Sequence, residues 1–373
     1  MEIRCHSLLG TFHSWAITMQ NLCRAFKKLN NNIYLKSTNG LENFPQDLVG
    51  DLRDSINHVD LDITYTIPSN FESRLGIIIE NGKEVKKYIP QFNEKSKIKA
   101  AIYNLEFSIL PERFRDCDKY VDYIFASSEY SKQAMAALDY NINKIKVVPH
   151  GIDLTRFNNK IEPYKLKTNK RFKFLNISIP HARKNIAMLV DAYSNVFSAA
   201  DDVCLVLKTS LLKADKLNEV DVMFIIDDIR RRKPNFPEIE IVQTVDNIAS
   251  LINACDAVIS CSSGEGFGLP ALEAMACKKI SIVPNYSGFK DFCNKDNSIL
   301  INTEEIYALP QYQYWGYNKF AKIGKPNREE IEYYMKELYL NINKYSNIIE
   351  SGYKMAQDLS WERAAKDIIG YIK

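Results

Sequence analysis

The chain lacks the features that mark several large classes of protein. None of its eight cysteines, at 5, 23, 117, 204, 255, 261, 277 and 293, stands in a Cys-x-x-Cys pair. That removes the usual zinc-cluster and redox signatures and leaves free thiols in a reducing compartment, the cytoplasm, as the expectation. No apolar run reaches the roughly 18 residues that a membrane span needs, and the opening Met-Glu-Ile-Arg-Cys-His has no signal-peptide order. An integral membrane segment is therefore not expected. Glycine and proline are sparse, 14 and 13 in 373 residues, which excludes collagen-like and low-complexity architectures. Charge of one sign is scarce as well: 49 basic against 46 acidic residues leave a formal +3, too small an excess for a dedicated polyanion binder. The five histidines, 6, 13, 58, 150 and 181, show no metal-ligand spacing. Asp60-Leu61-Asp62 and Asp116-Cys117-Asp118 match D-x-D, a pattern that arises by chance in a chain so rich in acids. No metal site is expected.

What is present is the composition of a globular protein with a large core, 46% hydrophobic and 25% charged. At roughly 150 residues per domain the length predicts two domains. Short runs rich in Val, Ile, Leu and Phe alternate with helical periodicity, and this β-α-β pattern occurs twice. In the first half, strands are predicted at 33–35, 101–103, 123–126 and 145–148, with helices at 14–29 and 131–138. In the second, strands are predicted at 172–177, 203–208, 239–242, 257–260 and 280–283, alternating with helices near 186–197, 248–254 and 270–276. Val148-Pro149-His150-Gly151-Ile152-Asp153 and the polar stretch after it punctuate the chain. The expected division is 1–155, 156–357, and a last helix at 358–373 that packs back on the body.

The most informative stretch runs from Ser262 to Ala276, Ser-Ser-Gly-Glu-Gly-Phe-Gly-Leu-Pro-Ala-Leu-Glu-Ala-Met-Ala. Three glycines after a strand let the backbone turn and approach a ligand, and Pro270 suits the start of a helix. No Ser, Thr, Asp or Asn stands immediately before that proline, so the first-turn N–H groups and the helix dipole offer a seat for a diphosphate. Glu265 on the loop and Glu273 on the helix are acceptors suited to the hydroxyls of a sugar and a ribose. Gly264, Gly266 and Gly268 do not match the dinucleotide fingerprint G-x-G-x-x-G.

Glu265 and Glu273 with their intervening residues resemble the E-x7-E motif of retaining GT-B glycosyltransferases of the glycosyl transferases group 1, family four, type. Further landmarks follow in the same order: Gly10-Thr11-Phe12-His13-Ser14, Glu106 to Pro111, Ser127 to Lys132, Pro149 to Asp153, Arg183-Lys184-Asn185, Asn285 to Gly288, and Ser360-Trp361-Glu362. The resemblance implies an α/β fold of two Rossmann-like domains facing across a cleft. The C-terminal one would hold a nucleotide-diphosphate sugar, UDP- or GDP-linked, and the N-terminal one the acceptor: a glycan, a lipid-linked sugar, a protein or a DNA base. It implies transfer with retention at the anomeric carbon and neither cofactor nor metal.

Carried over by position, Glu265 binds the donor sugar, Glu273 the ribose, and Lys184 with Arg183 the leaving diphosphate. Gly266, Phe267, Gly268 and Leu269 line the donor, Gly10 approaches the diphosphate from the first domain, and His13 and Glu106 lie on the acceptor side. The family's Gly-Arg, five residues before the lysine, is replaced by Ser178-Ile179, and Arg183 or Lys208 is the candidate to supply the missing cation. That departure keeps open a sugar-nucleotide-binding protein without transferase activity.

Overall fold

In the computed structural model the described residues are 2–7, 14–37, 52, 63–66, 75–80, 83–88, 98–211, 219–308 and 319–372. Gly10, His13, Asp60 and Asp62 lie outside them. Two compact units emerge: Met1–Gly151 with Trp315–Ala321 and Leu359–Lys373, and Ile152–Tyr314 with Lys322–Asp358.

The first unit contains β1 (Glu2–Ser7), α1 (Ser14–Lys28), β2 (Asn32–Ser37), β3 (Ile63–Thr66), β4 (Leu75–Glu80), β5 (Lys83–Tyr88), β6 (Ile98–Tyr103), β7 (Tyr123–Ala126), α2 (Glu129–Ala136) and β8 (Ile145–Val147). Six of the strands form a parallel sheet in the order β2-β1-β3-β6-β7-β8, and β4 and β5 pair as an antiparallel hairpin. Helix α2 starts two residues before its predicted Ser131, because the Ser128 side chain accepts from Ser131 N at 3.1 Å and caps it.

The second unit contains β9 (Phe172–Ile177), α3 (Ile186–Val196), β10 (Val203–Lys208), α4 (Val222–Arg232), β11 (Glu238–Val242), α5 (Ile248–Asn253), β12 (Ala257–Ile259), α6 (Leu269–Ala276), β13 (Ile280–Pro284), β14 (Ile299–Ile301), β15 (Thr303–Tyr307), β16 (Lys322–Pro326), α7 (Arg328–Asn341) and α8 (Ser346–Asp358). Its parallel sheet has the order β11-β10-β9-β12-β13-β14, with β15 and β16 as an antiparallel pair beside it.

The apolar runs of this sheet are continuous because both faces are covered. Phe172, Phe174, Val203, Leu205 and Leu207 point to one face, where α3, α4 and α7 pack. Leu175, Cys204, Val206 and Val258 point to the other, onto α5 and α6. Successive residues alternating between two apolar layers are what a period of two demands. Helix α3 buries Ile186, Leu189, Val190 and Tyr193, one stripe at helical spacing. Each such side chain contributes roughly 1.5–3 kcal/mol of burial.

A final helix, α9 (Trp361–Ile372), belongs to the first unit and packs its buried Trp361, Ala364, Ala365 and Ile368 toward α1. The chain crosses itself at its root. A Cβ on Gly151 would lie 2.7 Å from the Ser360 carbonyl oxygen, and the His150 ring lies 5.5 Å from that of Trp361. Only glycine fits there. The eight cysteines are buried and none forms a disulfide, and no helix among the described residues is long and apolar enough to cross a membrane.

Candidate functional site

In the second sheet the chain moves outward from β9 through β10 to β11 and then returns to β12 on the other side of β9. The loops leaving the carboxyl ends of β9 and β12 therefore diverge, and an open parallel sheet binds its ligands at such a switch point. Both loops carry the residues singled out above. After β9 the chain makes a single helical turn at Ala182–Lys184, capped by His181, whose Nδ1 accepts from Arg183 N at 3.3 Å. Burial, with the Arg183 and Lys184 charges, pushes the His181 pKa down to about 3, so the ring is neutral and free to accept. After β12 comes the Ser260–Gly268 loop.

Hydrogen bonds hold the two loops together. Ser263 N donates to Arg183 O at 2.7 Å, and Asn185 Nδ2 donates to Cys261 O and to Ser263 Oγ, both at 2.8 Å. Asn185 has φ 52°, a left-handed conformation that asparagine tolerates better than most residues. Its amide and its backbone thus serve the same junction.

Across this junction Lys184 Nζ pairs with Glu265 Oε1, and Arg183 Nη1 lies 3.2 Å from the same oxygen. The three side chains are only 10–14% exposed. Burial raises the Glu265 pKa, but the Lys184 and Arg183 charges outweigh it and hold the carboxyl at about 2. Arg183 also supports the glycine loop, since its Nη1 donates to Gly264 O at 2.8 Å and sits 3.4 Å from Ser262 Oγ. The arginine is therefore buried beneath that loop, its guanidinium engaged by Gly264 O and the Glu265 carboxylate.

The backbone of Glu265 is gripped from the turn after β13. Glu265 N donates to Ser287 Oγ at 2.9 Å, and Gly288 N donates to Glu265 O at 3.0 Å. A Cβ on Gly288 would stand 2.6 Å from the Gly266 carbonyl carbon and 2.7 Å from Phe267 Cα. At Gly268, φ is +105° and a Cβ would meet the Phe289 ring at 2.6 Å, so glycine is required for two reasons. Helix α6 opens at Leu269, one residue before the predicted Pro270, and no side chain caps its amino end. Phe267 stacks on Phe292 with ring centroids 4.7 Å apart and is 3% exposed, so it plugs the base of the loop.

Glu273 lies on α6 and is buried. Burial pushes its pKa up to about 7, against the opposing charge of Arg156. Lys208, at the end of β10, donates its Nζ to Gln243 O at 2.9 Å, away from the Arg183–Lys184–Glu265 cluster. Glu106 follows β6 in the first unit. Among the described residues no three His, Cys, Asp or Glu side chains gather as a metal site requires. Asp118 instead accepts from Asn141 N at 2.9 Å, and Asp116 pairs with Lys119 at 2.8 Å. The parts that residue type alone does not reveal are Asn185, Ser262, Ser287 and Arg156. Asn185, Ser262 and Ser287 belong to segments singled out above, whereas Arg156 lies outside them.

Residues 172–311, within the second unit, match the family described as Glycosyl transferases group 1. No curated protein matches the sequence. Solved structures do match along the whole chain. A glycosyltransferase from Rickettsia africae ESF-5 superposes with a TM-score of 0.68 at 14% identity, over 99% of this chain and 97% of that one. Anabaena Alr3699/HepE in complex with UDP and glucose gives 0.65 at 13%, covering 100% and 99%. Sucrose-phosphate synthase from Thermosynechococcus elongatus gives 0.62 at 13%, covering 100% and 98%. At such identities the likeness establishes the fold, which is GT-B, with parallel α/β sheets in two Rossmann-like domains.

Proposed function

We propose that the chain is a retaining, metal-independent glycosyltransferase that moves a sugar from a UDP- or GDP-linked donor to a hydroxyl acceptor. The observation that carries this reading is the meeting of Lys184, Arg183 and Glu265 at the switch point of a glycosyl transferases group 1 domain, with Glu273 buried one helix turn beyond the glycine loop. A cation, a hydroxyl acceptor and a second carboxyl stand there as a diphosphate, a sugar and a ribose require. The Anabaena structure, solved with UDP and glucose, supports a nucleotide sugar as the ligand.

The chemistry asks little acid–base work of the protein. As the anomeric C–O bond breaks, negative charge gathers on the leaving diphosphate and Lys184 stabilises it. The acceptor oxygen attacks the same face while a phosphate oxygen takes its proton. Preorganised charge and positioning contribute most of the acceleration in such a step. Arg183 holds the Gly264 carbonyl and the Glu265 carboxylate in place for it. A cytoplasmic setting agrees with eight cysteines that form no disulfide.

Incubation with UDP- and GDP-sugars and a panel of glycan acceptors, with and without EDTA, tests the proposal. Release of nucleoside diphosphate that survives EDTA, and a product whose anomeric configuration by NMR matches the donor, are expected. Loss of turnover on chelation with rescue by manganese contradicts metal independence. Tight binding of sugar nucleotides without turnover on any acceptor favours the non-catalytic reading, which the exposed Ile179 at the usual arginine position motivates.

A further inference from the structure

We propose that the Lys184–Glu265 ion pair is an exchange partner for the substrate, and that it makes the site select an intact sugar nucleotide over the bare nucleoside diphosphate. This rests on the donor reading above. The Glu265 carboxylate holds Lys184 Nζ, the same charge that an anionic phosphate oxygen would draw on. A diphosphate that claims the lysine draws it from a carboxylate only 13% exposed.

That carboxylate then keeps the Ser262 side chain and Arg183, whose Nη1 is also committed to Gly264 O at 2.8 Å. Weakening one partner of a buried ion pair is costly because the remaining charge stays out of water. Nor can Glu265 swing away with its loop, since Ser287 Oγ and Gly288 N hold its backbone N–H and C=O. A donor that carries its sugar escapes the cost, because sugar hydroxyls donate to Glu265 in place of the lysine. Bare nucleotide satisfies only one of the two partners. After transfer the departing sugar leaves Glu265 to recapture Lys184, which favours release of the nucleotide product.

Calorimetry on the full chain at pH 8, with UDP and UDP-glucose as one pair and GDP and GDP-mannose as the other, tests this. The decisive quantity is the affinity for bare nucleotide. Glu265→Gln, which removes the competing charge, is expected to tighten it by about tenfold or more while weakening the sugar nucleotide. Glu273→Gln, which alters an acid not paired with Lys184, is expected to weaken both. Glu265→Asp keeps the charge but withdraws it by a methylene, moves bare-nucleotide affinity in the same direction by a smaller factor, and carries the test if Glu265→Gln fails to fold. Unchanged or weaker bare-nucleotide binding in a folded Glu265 variant overturns the inference and leaves the donor reading intact. Failure of the wild type to bind either pair overturns the donor reading itself.

Discussion

Glu265 and Glu273 stand eight residues apart on one loop-and-helix segment, and their surroundings drive their ionisation in opposite directions. Burial raises both. At Glu265 the charges of Lys184 and Arg183 prevail and hold the carboxyl at about 2, whereas at Glu273 burial prevails over Arg156 and the carboxyl settles at about 7. One is a fixed charge at neutral pH; the other titrates there. A pair of acids pushed apart in this way is a pair with separate roles.

If Glu273 takes the ribose, nucleotide affinity depends on pH. Ribose hydroxyls donate to the ionised form and stabilise it, so binding releases a proton near neutrality. Affinity is expected to rise by up to about tenfold between pH 6 and pH 8 and to lose that dependence in Glu273→Gln. Calorimetry in buffers of different ionisation enthalpy reads the proton directly, and a flat wild-type profile contradicts the ribose role.

Stability carries the same signature with opposite signs. The folded-state pKa of Glu273, about 7, lies above its ordinary value of 4.5, so wild-type stability falls as pH rises from about 4.5 to about 7. Glu273→Gln is expected to match wild type below pH 4.5 and to gain stability above pH 7, with an upper bound of about 3 kcal/mol. Glu265 behaves inversely: its folded pKa is depressed, so its contribution is present above pH 4.5 and lost as pH falls toward 2. Glu265→Gln is expected to melt lower than wild type at pH 7, with the gap closing on acidification. Thermal melts across pH check both signs.

Much of the second unit was legible because its strands are buried on both faces, and runs such as Phe172–Ile177 and Val203–Lys208 cannot be mistaken. The first unit yielded less. Glu2–Ser7 reads Glu-Ile-Arg-Cys-His-Ser, an alternation too polar to stand out, and Ile63–Thr66 is only four residues long. The β4–β5 hairpin and the strands β14 to β16 were also missed, being short or rich in polar residues. At the site, the two acids, the glycines and Lys184 were visible as residue types in a pattern. What a pattern does not carry is direction: Arg183 turns beneath the loop toward the Gly264 carbonyl, Phe267 turns inward onto Phe292, and Lys208 turns to Gln243. For Arg183 that choice depends on a contact between segments 81 residues apart in sequence, and no local pattern encodes it.

Lys184→Ala is expected to lower kcat about a hundred- to a thousandfold, since a preorganised charge acts chiefly on the transition state. The Glu265 carboxylate is then left to Arg183 and Ser262, so a lower melting temperature accompanies the kinetic loss, and turnover is compared where the variant is folded. A folded variant with near wild-type turnover contradicts the role given to Lys184.

Gly288→Ala tests the clamp on Glu265 without touching a charged group. Its Cβ would lie 2.6 and 2.7 Å from backbone atoms of Gly266 and Phe267, so the glycine loop must move. A destabilisation of roughly 1–3 kcal/mol with a disproportionate loss of turnover is expected. Unchanged kinetics in this variant means that the turn does not position the loop.

The central claim is that one crevice, at the carboxyl ends of β9 and β12, holds a nucleotide sugar across Lys184, Glu265 and Glu273. A crystal structure of the chain soaked with UDP- and GDP-sugars tests it most directly. A diphosphate within hydrogen-bond distance of Lys184 Nζ, sugar hydroxyls on Glu265, ribose hydroxyls on Glu273 and an opened Lys184–Glu265 contact are expected. A nucleotide bound elsewhere, or one bound here with Glu273 still buried and away from the ribose, contradicts it.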